Sequence, residues 1–71
     1  MFYIIEIQKN AQGQYAHIVE TAETQRAAES TYYSKLSYAA QSNLPLHSVA
    51  IITEDGDHHM SKSYRNGESH D

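Results

Sequence analysis

Residues 24–42, TQRAAESTYYSKLSYAAQS, are the one stretch long and regular enough to dictate a helix. Ala28, Tyr32, Leu36 and Ala39 recur at steps of four, four and three, which puts them on one side of a 3.6-residue period. Tyr33 and Ala40 widen that stripe along one edge, while Gln25, Arg26, Ser30, Ser34 and Ser37 stay outside it. A helix with a single apolar stripe has to bury it against another layer. The flanking sequence offers strands, two on each side.

Residues 2–8 (FYIIEIQ) are rich in aromatic and β-branched types and read as a strand. Asn10, Ala11, Gln12 and Gly13 form a turn cluster, with Gly13 free to take the positive φ that hairpins often need. Residues 15–21 (YAHIVET) return as a second strand. Thr24 is the expected N-cap, its hydroxyl accepting from a free N–H of the first turn, with Thr21 as the competing choice. Pro45 forbids helix beyond residues 42–43 and drives Leu44 to an extended conformation. Residues 46–54 (LHSVAIITE) form a third strand, Asp55-Gly56 suits a two-residue type I′ turn, and residues 57–64 form a fourth.

Directly opposed side chains in a hairpin share a face, so loop length decides which residues point inward. A four-residue loop over 10–13 places Ile7 opposite Ala16 and Ile5 opposite Ile18. One face then carries Tyr3, Ile5, Ile7, Ala16 and Ile18, and the other Phe2, Ile4, Glu6, His17, Val19 and Thr21. The Asp55-Gly56 turn sets Glu54 opposite Asp57, Ile51 opposite Met60, Val49 opposite Lys62 and His47 opposite Tyr64. The core-like face is His47, Val49, Ile51, Met60 and Tyr64; behind it lie Ser48, Ala50, Ile52, His59 and Ser61. The expected architecture is α+β, a single β-β-α-β-β domain over residues 1–65. It has one four-stranded antiparallel sheet in the order 2-1-3-4 and one helix across one face. Residues 66–71 are too polar for that core and are expected to be a disordered tail.

A chain of 71 residues holds one modest core, and small domains often need disulfides, a metal or self-association to supplement it. The chain has no cysteine, which removes disulfides and thiolate sites and fits a reducing compartment. Its net charge of −4 comes from nine acidic and five basic residues, and Lys9, Arg26, Lys35, Lys62 and Arg65 are scattered. That charge opposes phosphate binding, which speaks against nucleic acid. No apolar run approaches the ~20 residues of a membrane span, and the first seven residues carry Glu6 without a basic segment, unlike a secretory signal. The expectation is a soluble cytoplasmic protein.

The runs AHIVETAETQRAAESTYYSKL and AAQSNLPLHSVAIITEDG resemble short uncharacterised proteins of Gram-positive bacteria and their mobile elements. Those share a similar AHIV strand, an alanine-rich helix, an LPxHS lead into the third strand and an acidic-Gly hairpin. The resemblance spans residues 2–56 and implies a single intracellular domain; it implies no activity, cofactor or catalytic residue.

The densest set of ligand types is Glu54, Asp55, Asp57, His58 and His59. In a regular strand His58 and His59 point to opposite faces, and the spacing matches neither a helical zinc motif nor a calcium loop. A solvated hairpin tip explains them, so no metal and no cofactor are expected. A polar site is conceivable at Glu6 with His17, opposed on neighbouring strands, and at His47 with Tyr64; cross-strand surface contacts are the plainer account. No nucleophile elbow or phosphate-binding glycine loop is present. Six tyrosines are enough for a base-stacking platform, but the negative charge opposes it.

The reading that follows is a small non-catalytic interaction module, homodimeric, of unknown cellular role. Its expected interface is an outer apolar patch of Phe2, Ile4, Val19, Ala50 and Ile52. The alternatives are a small enzyme or metal-dependent unit with histidines at a subunit boundary and, more weakly, a nucleic-acid accessory protein.

Overall fold

The structure, a computed structural model, describes residues 1–66; the expected disordered tail lies, except for Asn66, outside the described residues. Four strands and a helix follow in order: β1 Phe2–Lys9, β2 Tyr15–Ala22, α1 Gln25–Gln41, β3 Leu46–Thr53 and β4 His58–Arg65. The sheet is antiparallel in the order β2-β1-β3-β4, with α1 packed chiefly on β3 and β1. This is the expected α+β, β-β-α-β-β domain. Among the described residues no helix is long and apolar enough to cross a membrane.

Local chemistry explains the helix bounds. Thr24 holds an extended backbone and its hydroxyl accepts from the Ala27 N–H at 3.1 Å, satisfying one of the donors that a first turn leaves free. At the other end the Ser42 N–H donates to the Ala39 carbonyl, and the Leu44 N–H to the Ser42 hydroxyl. Asn66 then ties the end of β4 to this corner. Its N–H donates to the Pro45 carbonyl, and its side chain donates to the carbonyls of Ser42 and Leu44.

Ile4, Ala28, Tyr32, Ala39, Val49 and Ile51 make the core, with Phe2, Ala22, Leu36, Met60 and Tyr64 packed around it. The helix stripe, and the inward placement of Val49, Ile51, Met60 and Tyr64, are as expected.

The first hairpin differs. Its register is Lys9–Tyr15, Ile7–His17 and Ile5–Val19, one residue away from expectation, because the loop takes in Gln14. Asn10 organises it: its side-chain oxygen accepts from the N–H groups of Gln12 and Gln14, and its carbonyl accepts from Gly13. Gly13 adopts φ +84°, a conformation that glycine takes at little cost. The period along a strand is two, so the one-residue slip exchanges the faces. Phe2, Ile4 and Glu6 turn toward the helix, and Tyr3, Ile5 and Ile7 away from it.

The second turn also exceeds its expected length. Thr53, not Glu54, stands opposite Asp57, because the Thr53 carbonyl and hydroxyl collect the N–H groups of Asp55, Gly56 and Asp57. Here a bulge restores the register. Ile52 pairs with His58 while Ile51 pairs with Met60, leaving His59 as an extra residue. His59 therefore lies on the helix side, tilted against the Phe2 ring at 5.8 Å, rather than on the outer face.

Candidate functional site

One side of the helix–sheet interface is polar. Glu6 and His47 are among the most enclosed residues of the domain, at 7% and 5% exposure. They meet because Gln8 pairs with His47 and Glu6 with Val49 across β1 and β3. The His47 Nε2 lies 2.5 Å from Glu6 Oε2. Gln8 donates to the same oxygen at 3.1 Å, and Lys35 reaches down from α1 to Glu6 Oε1 at 3.2 Å. Lys35 also bridges to Glu20 on β2 at 2.7 Å. Three strands and the helix thus contribute to one charge network. Beside it lies a cleft of about 570 Å³, bordered by Glu6, His47, Lys35 and the hydroxyls of Ser30, Thr31 and Ser34.

The network favours the charged forms of Glu6 and Lys35. Burial raises the Glu6 pKa, but hydrogen bonds from His47, Gln8 and Lys35, with the Lys35 charge, outweigh it and leave the carboxyl below the usual 4.5. The hydrogen bond to Glu20 raises Lys35, against desolvation, with Glu6 reinforcing the effect. General acid–base catalysis favours groups that exchange protons near the working pH, and both shifts run away from it. A carboxylate at Glu6 accepts from His47, so Nε2 carries the proton. His47 Nδ1 is then buried without a hydrogen-bond partner among the described residues.

Several expected sites are rearranged. His17 does not face Glu6; it is exposed on the outer sheet face opposite Ile7. Tyr64 does stand opposite His47, but the His47 hydrogen bond goes to Glu6. Of the outer patch, Val19, Ala50 and Ile52 keep their side of the sheet. Ile4 is instead fully buried and Phe2 packs on the core, both through the register slip. Lys35 and Glu20 carried no expected role. The available signal was the position of Lys35, three residues after Tyr32 and four before Ala39, at the margin of the buried stripe.

The histidines at the second hairpin do not converge. His58 Nε2 is 3.0 Å from the Ser61 hydroxyl, and His59 Nε2 is 3.2 Å from Glu29 Oε2 on the helix. Among the described residues no group of three or more His, Cys, Asp or Glu side chains is placed to hold a metal ion. Adding zinc or nickel is therefore expected to leave the thermal midpoint unchanged, since only a ligand preferring the native state raises it. A saturable rise abolished by the His58→Ala, His59→Ala double substitution is the contrary result.

Comparison with protein-family models, curated proteins and solved structures found no match.

Proposed function

We propose that this chain is a small non-catalytic interaction module that forms a homodimer through the sheet face turned away from the helix. The supporting observation is the composition of that face. Tyr3, Ile5 and Ile7 of β1 lie between Val19 of β2 and Ala50 and Ile52 of β3. Ile7 and Val19 are 37% and 50% exposed. An antiparallel sheet can leave one face in water, but that face is then ordinarily polar. A contiguous apolar patch bordered by polar groups is the usual mark of an interaction surface. Here His17, Thr21, Ser61 and Ser63 supply the border. One helix covers one face only, and a second sheet of the same kind, packed ~10 Å away, completes the missing layer. A second copy is the economical occupant, because under two-fold symmetry one patch covers itself.

Sedimentation equilibrium at micromolar concentration tests this reading. Wild type is expected to associate, and Ile7→Asp to run at a lower mass than wild type at the same concentration with its circular dichroism unchanged. A strictly monomeric wild type, or an Ile7→Asp variant whose mass equals that of wild type, overturns it.

A further inference from the structure

The two edges of the sheet are built differently. In the first hairpin the Asn10 N–H donates to the Gln14 carbonyl at 2.9 Å. Hydrogen-bonded and non-hydrogen-bonded pairs alternate along an antiparallel ladder. Ala16, Ile18, Glu20 and Ala22 therefore turn their backbone groups toward β1. Tyr15, His17, Val19 and Thr21 turn theirs to the open edge. Seven of the eight β2 residues are exposed, and α1 rests chiefly on β3 and β1, so nothing among the described residues covers that edge.

Natural sheets protect such an edge with lysine, proline, bulges or a covering segment. The β4 edge has these defences: the His59 bulge, Lys62 and Arg65. The β2 edge has no Pro, Gly, Lys or Arg and no bulge. Its one acid, Glu20, is already engaged by Lys35.

We propose that β2 is a strand-addition site whose occupant is β2 of a second copy, running antiparallel and joining two four-stranded sheets into one. The residue order supports a second copy over a foreign strand. Side chains that share a face must be paired, so β2 overlaps itself most fully in two registers, with Ile18 or Val19 beside its own counterpart. Only the Ile18 register pairs all four outward-turned residues, so it makes more hydrogen bonds. His17 faces Val19 of the other strand, and Tyr15 faces Thr21. All four outward-turned residues of each strand fall in hydrogen-bonded pairs, two bonds to a pair. The two Ile18 side chains, 47% exposed in one chain, meet at a non-hydrogen-bonded position, where opposed residues come closest. Ala16 lies across from Glu20, a small neighbour that leaves the ion pair to Lys35 intact. This contact uses the helix side and the backbone edge, so it stands independently of the face-to-face contact.

Amide hydrogen exchange of the full chain, read residue by residue by NMR, tests it. In the associated protein the His17, Val19 and Thr21 amides are expected to be protected, and to lose that protection on dilution. Ile18→Lys puts two ammonium groups together at the axis. Those three amides should then exchange freely while the β1 amides stay protected, which shows that the variant is folded. Ile7→Asp should leave the protection in place. Free exchange of the three amides in an associated wild-type protein overturns the edge contact alone. Loss of protection in Ile7→Asp, protection that does not depend on concentration, or protection gained only with another protein's strand also overturns it. A strict monomer removes both contacts.

Discussion

Ile4→Ala is expected to destabilise the domain by about 2–5 kcal/mol, the range for truncating a buried isoleucine, while Ile5→Ala costs about 1 kcal/mol or less. The two residues are neighbours with the same side chain, so propensity and composition cancel in the comparison. Only the face differs. Ile4 is fully buried and stands between Glu20 and Ile51 on the neighbouring strands, within the cluster that includes Ala28 and Tyr32. Ile5 looks away from the helix, between Val19 and Ala50. Domains are stable by roughly 0.05–0.15 kcal/mol per residue, so the Ile4 loss is a large fraction of the whole. Urea unfolding of both variants, with similar slopes, is the direct measurement. It should be made at a concentration where the chain is monomeric, since Ile5 lies in the proposed dimer contact. Equal losses, or a larger loss at Ile5, would put the first hairpin back in the shorter-loop register.

Lys35→Met is expected to cost about 3 kcal/mol at neutral pH, the lower end for breaking an enclosed ion pair by removing one partner. Lys35 is the cation shared by Glu6 and Glu20. Without it Glu6 remains a carboxylate inside the interface, supported only by His47 and Gln8. The same network governs acid sensitivity. The Glu6 carboxyl is lowered from 4.5 in the folded chain, so the unfolded chain takes up this proton first as pH falls. The Glu6 contribution is therefore complete above about 4.5 and is lost as pH drops through the folded value. Subtracting the midpoint-versus-pH curve of Glu6→Gln from that of wild type isolates it. Glu29, lowered by hydrogen bonds from Gln25 and His59, and Glu54, lowered by the Met1 ammonium, are common to both curves. A difference that is flat across the acid range would show that Glu6 gains nothing from its partners.

The elements, their order and the helix orientation were legible because each rests on local pattern. Thr24 and Pro45 bracket the helix, its stripe repeats at the helical period, and Asp55-Gly56 and the Asn10–Gly13 cluster mark the turns. Which face of β1 is buried was not legible. Both parities of FYIIEIQ are apolar, and alternation favours the set Tyr3, Ile5, Ile7 because the other contains Glu6. Glu6 is tolerated inside only because Lys35 arrives from the helix and His47 from β3, and no local pattern announces that meeting. The loop count then decided the matter, and it turned on whether Gln14 belongs to the turn. In the second hairpin an error of the same size left the faces of β3 and most of β4 correct. No motif signals the polar network or the open face, which exist only once the strands are paired.

The bulge at His59 also bears on how the two hairpins can change over evolutionary time. A bulge is a spare residue held in the ladder, so loss of one position near the tip of the second hairpin can be absorbed by straightening β4. Val49, Ile51 and Met60 would keep their orientation. The first hairpin holds no such reserve: its ladder runs unbroken from Phe2–Ala22 to Lys9–Tyr15. A deletion of one residue within its loop would have to be met by sliding β2 against β1, turning Ile18 and Glu20 outward and parting Lys35 from one of its two carboxylates. Length variation among descendants of this chain should therefore collect at the second tip, while the spacing from Lys9 to Tyr15 stays constant.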